Sequence, residues 1–162
     1  MNKKIIYLTA LFLLMLITGV FWGTWFTLTR SIAEFKAEEF IHIGKVIIAN
    51  VAMPMRFIMP TGILLMILAL WLAGNKRSTG FIFGIISLAL IIAVLTITLV
   101  VLVPIDNDIK EWTASAIPAD WTNIRQRWDL FHAMRTFASL ARFVCFSIFI
   151  LDNTKGENRI KS

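Results

Sequence analysis

The chain has 162 residues, 58% of them hydrophobic, with a mean hydropathy of +0.77 and a net charge of +6. Charge is confined to short stretches, whereas a soluble domain would spread it among its helices. The composition therefore specifies an integral membrane protein of one domain, with no room for a separate soluble module. Scattered Lys and Arg without a basic recognition helix exclude a nucleic-acid partner, and the single cysteine, Cys145, excludes an intrachain disulfide and a Cys-based metal site.

In chain order, Asn2-Lys3-Lys4 precedes an apolar run from Ile5 to Thr29 that is long enough to span a bilayer. It exceeds the h-region of a signal peptide and no small-x-small cleavage site follows cleanly, so it is expected to be a retained span. Gly19 and Gly23 form a G-x-x-x-G pair beside Trp22 and Trp25, a spacing that lets another backbone approach and leaves a homo-oligomer open. Residues 30–56 mix Glu34, Lys36, Glu38, Glu39 and Lys45 with Phe35, Phe40, Ile41, Val46 and Ile47, which predicts an amphipathic helix at the outer interface. His42, Val46, Ala49 and Met53 lie along one side of it. Pro54 and Pro60 predict a bend at the entry to the second span, 57–74, either as a pocket wall or as a packing kink.

A hydrophilic turn, Asn75 to Gly80, leads to the third span, 81–103, whose Ile, Leu and Val content alone predicts lipid-facing structure. A second outer loop, 104–129, carries Trp112, Pro118 and Trp121, and the fourth span is expected over 130–151, with a polar, frayed tail from Asp152 to Ser162. The fold class is thus all-α, a four-transmembrane-helix bundle with an amphipathic outer segment between helices 1 and 2. Four spans put both termini on one side, where Lys3, Lys4, Lys76, Arg77, Lys155, Arg159 and Lys161 crowd the short segments. The positive-inside rule then predicts a multi-pass protein of the cell membrane with both termini cytoplasmic and both long loops facing outward.

The most informative stretch is Trp121 to Arg142. It lacks Pro and Gly, and at about 100° per residue it places Arg125, Trp128, His132, Arg135, Ser139 and Arg142 on one helix face. Counted back from Asp152, Arg142 lies about ten residues, or ~15 Å, into a hydrocarbon layer ~30 Å thick. No Asp or Glu lies inside any of the four spans, and an arginine keeps its charge when desolvated. Something oxygen-rich should therefore face Arg142: backbone carbonyls of a neighbouring helix, water, or a carbonyl, phenolate, quinone or lipid-headgroup oxygen. The two histidines, His42 and His132, are both expected in the outer half. They could ligate haem iron or share a metal, although no tight H-x-x-x-H or E-x-x-H pair exists; alternatively His132 serves as a general base or hydrogen-bond donor, or is a plain interfacial residue. A nucleophilic triad, a phosphate-binding glycine loop and a dinucleotide fingerprint are absent.

Pro104, Ile105, Asp106 and Asn107 close the third span, Trp112 follows, and then comes Trp-x3-Arg-x-Arg-Trp-x3-His-x2-Arg at Trp121, Arg125, Arg127, Trp128, His132 and Arg135. This pattern resembles the small four-span membrane family that includes the anthrone oxygenase-like proteins. The likeness covers the spacing of all four spans and is specific over 104–135. It departs at Asp106, where an Asn is expected, and does not extend to Arg142. It implies a four-helix membrane fold, and an activity in which relatives oxygenate electron-rich polycyclic phenols without an obvious organic cofactor.

Two readings follow. In the first, an oxidoreductase acts on a hydrophobic aromatic or quinone-like molecule in an outward-facing pocket. His132 and Arg135 are then the candidate catalytic residues, with His132 taking the phenolic proton. Arg125, Trp128, Arg142, Asn107, Trp121 and His42 are the candidate substrate contacts, with Trp128 stacking on the ring, and no metal site is assigned. In the second, a non-catalytic membrane protein binds lipid or a partner through residues 31–53.

Overall fold

The computed structural model describes the backbone of residues 3–161 and the side chains of residues 3–154. Lys155, Arg159 and Lys161, whose charges enter the topology argument, have side chains outside the described residues, as does Ser162. Helix α1 spans Lys3–Thr24, and its buried Ile6, Tyr7, Ala10, Leu14, Ile17, Thr18 and Phe21 recur every three or four residues, so one stripe faces the bundle. It ends in a π-helical turn, Trp25–Thr29, and a 3-10 turn, Ile32–Glu34. Helix α2, Ala37–Trp71, starts where the Glu39 carboxylate accepts the Lys36 backbone N–H at 2.9 Å. Helix α3, Thr79–Ile97, starts where the Ser78 hydroxyl accepts the Phe81 N–H at 3.1 Å. A second π-helical turn, Thr98–Leu102, joins it to α4, Val103–Glu111, with Pro104 in the first turn, where its missing N–H costs nothing. Helix α5 spans Trp121–Lys161. The protein is therefore a helical bundle, and among the described residues four helical stretches are long and apolar enough to cross a membrane. Among the described residues the only bridge between extended segments is Thr113 with Ala116.

The helices overrun the expected spans. Residues 30–56 are largely the first half of α2, continuous with the apolar half, and residues 104–129 contain α4 and the start of α5. The 35 residues of α2 measure about 52 Å, against a hydrocarbon layer of ~30 Å. The physical reason is a second apolar core. Phe40 and Ile41 from α2, Ile105 and Ile109 from α4, Trp112 and Trp128 pack on one another beyond the loop ends of the spans. The amphipathic segments thus bury their apolar sides against each other. The main core, with Leu14, Ile17, Met66, Ile91, Val94, Phe146 and Phe149, occupies the spans. Likewise α5 does not end at Leu151 but continues to Lys161. The expected prolines sit inside α2 with exposed rings, and line neither of the cavities described below.

Close helix approach occurs at a different glycine pair from the one the sequence pointed to. Gly19 and Gly23 face open space. Gly80 and Gly84, also four apart, meet Asp152 and the Leu70 and Phe149 side chains: a Cβ on Gly84 would stand 2.5 Å from Leu70 Cδ2 and 2.9 Å from Phe149 Cδ2. Gly84→Ala should accordingly lower the thermal unfolding midpoint in detergent, by overpacking worth about 1–3 kcal/mol. Gly23→Ala should leave it unchanged or raise it; the reverse order would show that the α1 glycines carry the packing.

Candidate functional site

The inward face of α5 reads Trp128, His132, Thr136, Ser139, Arg142, Phe146 and Phe149, all at most 7% exposed. It opposes the α1 stripe, and the polar members of the two stripes meet. At its inner end one Arg142 terminal nitrogen, Nη2, donates to the Leu14 carbonyl at 2.9 Å, to Thr18 Oγ1 at 2.6 Å and to Ser139 Oγ at 3.1 Å. The Thr18 hydroxyl donates to the Leu14 carbonyl at 2.8 Å, and from α3 the Ser87 hydroxyl donates to the Arg142 carbonyl at 3.0 Å. Arg142 is fully buried, and its Nε and Nη1 make no hydrogen bond. Of the partners open to it from sequence, it takes carbonyl and hydroxyl oxygens of the α1–α5 seam. Thr136 continues the seam, donating to the His132 carbonyl at 2.8 Å and reaching the Phe21 carbonyl at 3.4 Å.

About ten residues, or ~15 Å, away along α5 stands a second cluster. His132 is fully buried, and its Nδ1 accepts from Arg135 Nε at 3.0 Å and Nη2 at 2.8 Å. A guanidinium can only donate, so Nδ1 is the acceptor and the neutral ring carries its proton on Nε2. That N–H has only a marginal hydrogen bond, to the Phe21 backbone, which falls short of full geometry. With Nδ1 engaged, His132 presents a donor edge, so of the roles open to it from sequence the geometry favours donor over base. The Arg135 guanidinium lies 4.5 Å from the Phe21 ring centroid and has Asp106 within electrostatic reach, but not in ion-pair contact. Trp128 stacks on His132, with 4.9 Å between centroids and 7° between planes, and its indole N–H donates to Asp106 Oδ1 at 3.0 Å.

The remaining sequence candidates stand elsewhere. Arg125 donates from Nη1 to the Ile32 and Phe35 carbonyls at 3.2 and 3.4 Å and lies over Trp121 at 4.9 Å. It ties the 3-10 turn to α5, while Trp121 packs on Phe40. Asn107 is exposed, its side-chain oxygen accepting from Lys110 at 2.9 Å. His42 is exposed in a groove beside Glu38, Lys45 and Trp112, whereas His132 is sealed in the interior. No group of three or more His, Cys, Asp or Glu suited to a metal stands together among the described residues. Thr18, Thr136 and the Asp106–Trp128 bond were not anticipated. Thr18 lies on α1's apolar stripe between Leu14 and Phe21, and a hydroxyl there was the available signal.

Arg142→Met removes a buried charge and leaves the Thr18–Ser139 hydroxyl pair, 3.1 Å apart, to bond with itself. The variant should unfold at the wild-type temperature or above it in detergent, because a buried charge with unfilled donors is costly to keep. A lowered midpoint would mean that the guanidinium bonds hold the seam together.

A family model described as anthrone oxygenase matches residues 50–145, more than half of the chain, from the middle of α2 to Cys145 on α5. No curated protein and no solved structure matches the chain.

Proposed function

The chain belongs to the anthrone oxygenase family, and on that premise we propose that it is a membrane-embedded oxidoreductase acting on a hydrophobic aromatic or quinone-like molecule. The observation that carries this reading is the sealed His132, whose Nε2–H meets only the Phe21 backbone, in marginal geometry, while Arg135 fixes the ring from the other side. A buried donor left wholly unmade costs about 1–3 kcal/mol, and a well-placed ligand oxygen would recover the part of it that the marginal Phe21 contact does not. A phenol or quinone oxygen accepting from this N–H is polarised toward the anion, and an electron-rich ring so polarised gives up electrons to an oxidant such as dioxygen more readily once its proton has passed to solvent or to the oxidant. One donor on the oxygen, held in its tautomer by Arg135, and an aromatic wall at Trp128 are the means this chain offers. His132→Gln and Arg135→Gln should each lower turnover of a polycyclic phenol by about 100-fold, read as oxygen uptake by the purified protein, with unfolding temperature kept. Turnover unchanged in both would remove the cluster from the chemistry.

A second reading, non-catalytic binding of lipid or a partner through residues 31–53, is favoured by the open groove of about 350 Å³ that Glu38, His42 and Lys45 line with Trp112–Ala114. Insensitivity to His132→Gln, together with loss of partner or lipid retention in Lys45→Glu, would support it.

Both readings place the loop ends outside the cell and the termini in the cytoplasm. With Cys145 replaced by Ala, a cysteine at the exposed Asn123 should react with an impermeant thiol reagent in intact cells, and one at the exposed Lys76 should not. The opposite pattern would invert the topology.

A further inference from the structure

The His132 ring is held at its edge and on its face. Arg135 donates to Nδ1 at 3.0 and 2.8 Å, and the Trp128 indole lies parallel on the ring with 4.9 Å between centroids. A hydrogen bond at Nδ1 fixes the tautomer but lets the ring rock about that bond, so the aim of the Nε2–H is set by what lies on the ring face. Trp128 stands one turn before His132 on α5, but its indole is tied across to α4, where the Asp106 carboxylate accepts its N–H at 3.0 Å. Packing does not close around it, because Trp128 and Asp106 line a narrow cavity of about 20 Å³ with Leu28, Phe40, Gly44 and Ile109, room for about one water. With slack on that side, the hydrogen bond decides how the indole lies. Asp106 also acts electrostatically on Arg135 without touching it, so two routes lead from this carboxylate to His132, one by hydrogen bond through Trp128 and one by charge through Arg135.

We infer that Asp106 is a positioning residue for His132, and that it acts through the hydrogen bond to Trp128 and not through its charge. The bond keeps the indole flat on the imidazole, and the imidazole so covered keeps its Nε2–H on one line. Helix α4 thereby sets the aim of a donor carried by α5, and its Ile105 and Ile109, buried in the second core, make that core part of the frame of the site. The inference rests on the reading of His132 as the donor to a substrate oxygen, but it concerns the orientation of the ring and is read without turnover as well as with it.

Asp106→Asn and Asp106→Leu both remove the charge that acts on Arg135, and only Asn keeps an acceptor oxygen, so the difference between them isolates the bond to Trp128. The chain has two histidines, so isotope labelling of histidine in the full-length protein in detergent gives two imidazole spectra, and His42→Gln identifies that of His132. The ring current of the stacked indole should displace the carbon-bound ring protons of His132 upfield in the wild type and in Asp106→Asn, and the displacement should be lost in Asp106→Leu. Turnover of a polycyclic phenol should be about tenfold lower in Asp106→Leu than in Asp106→Asn, a difference that vanishes when each also carries Trp128→Phe, which keeps a ring without the donor. Should Asp106→Leu not fold, Trp128→Phe deletes the same bond from the donor side and should show both losses against Asp106→Asn. The same His132 proton shifts in the Asn variant and in the variant lacking the bond overturn the inference, and an equal fall in turnover would then assign the effect of Asp106 to its charge on Arg135. A difference in the shifts without any phenol turnover by the wild type would uphold the inference while removing the catalytic reading. Turnover that depends on His132 without that difference would do the opposite.

Discussion

The Arg142 guanidinium is fully buried in a helix apolar enough to cross a membrane, and the α1–α5 seam supplies the oxygens it needs. A charge that cannot be relieved by proton loss needs oxygens, and Leu14, Thr18 and Ser139 bring three to one nitrogen. That requirement fixes the rotation of α1 about its axis, because Thr18 must face Ser139, and it fixes the height of α1 against α5. With rotation and height set, Phe21 comes level with Arg135 and Thr136, and the outer cluster inherits its frame from the inner one. Ser87 adds α3 to the same junction by bonding to the Arg142 carbonyl.

Two different forces hold the two ends of the molecule. Within the spans lipid tails are as apolar as Leu, so helix association relies on packing at Gly84 and on the hydroxyl bonds of the seam. Beyond the spans the hydrophobic effect operates at about 25 cal/mol per Å² buried, and Phe40, Ile105, Ile109 and Trp112 close a core of the kind found in soluble proteins. His132 and Trp128 stand where the two regimes meet. An aromatic molecule arriving from the bilayer would exchange one apolar setting for another, so its selection depends on the few polar groups at that junction.

Much of this was legible in residue order. Four apolar runs, the even number of crossings and the inward stripe on α5 follow from hydropathy and a 3.6-residue period, and Trp128, His132 and Arg135 meet because they are three and four apart on one helix. What was not legible depends on register between helices. No local pattern tells that Thr18 rather than a ligand would meet Arg142, or that Asp106 would bond to Trp128 and not pair with Arg135. The glycine pair at 19 and 23 matched a motif that 80 and 84 match equally well, and only packing distinguishes them. The amphipathic segment went to a second core because α4 supplies a matching apolar side.

The π-helical turns at Trp25–Thr29 and Thr98–Leu102 lie at the loop ends of the first and third spans, each bordering α5. A π turn holds one more residue than an α turn over the same rise, so each is a place where the chain stores a single-residue insertion without breaking its helix. Closing either one by a deletion would turn it into an ordinary α turn and leave the residues beyond it on nearly the same faces, so that Ile32 or Ile105 keeps its place in the second core. An alignment gap of one residue at 25–29 or 98–102 among relatives would therefore mark a chain that has lost the wider turn while keeping both its membrane bundle and the second core in register.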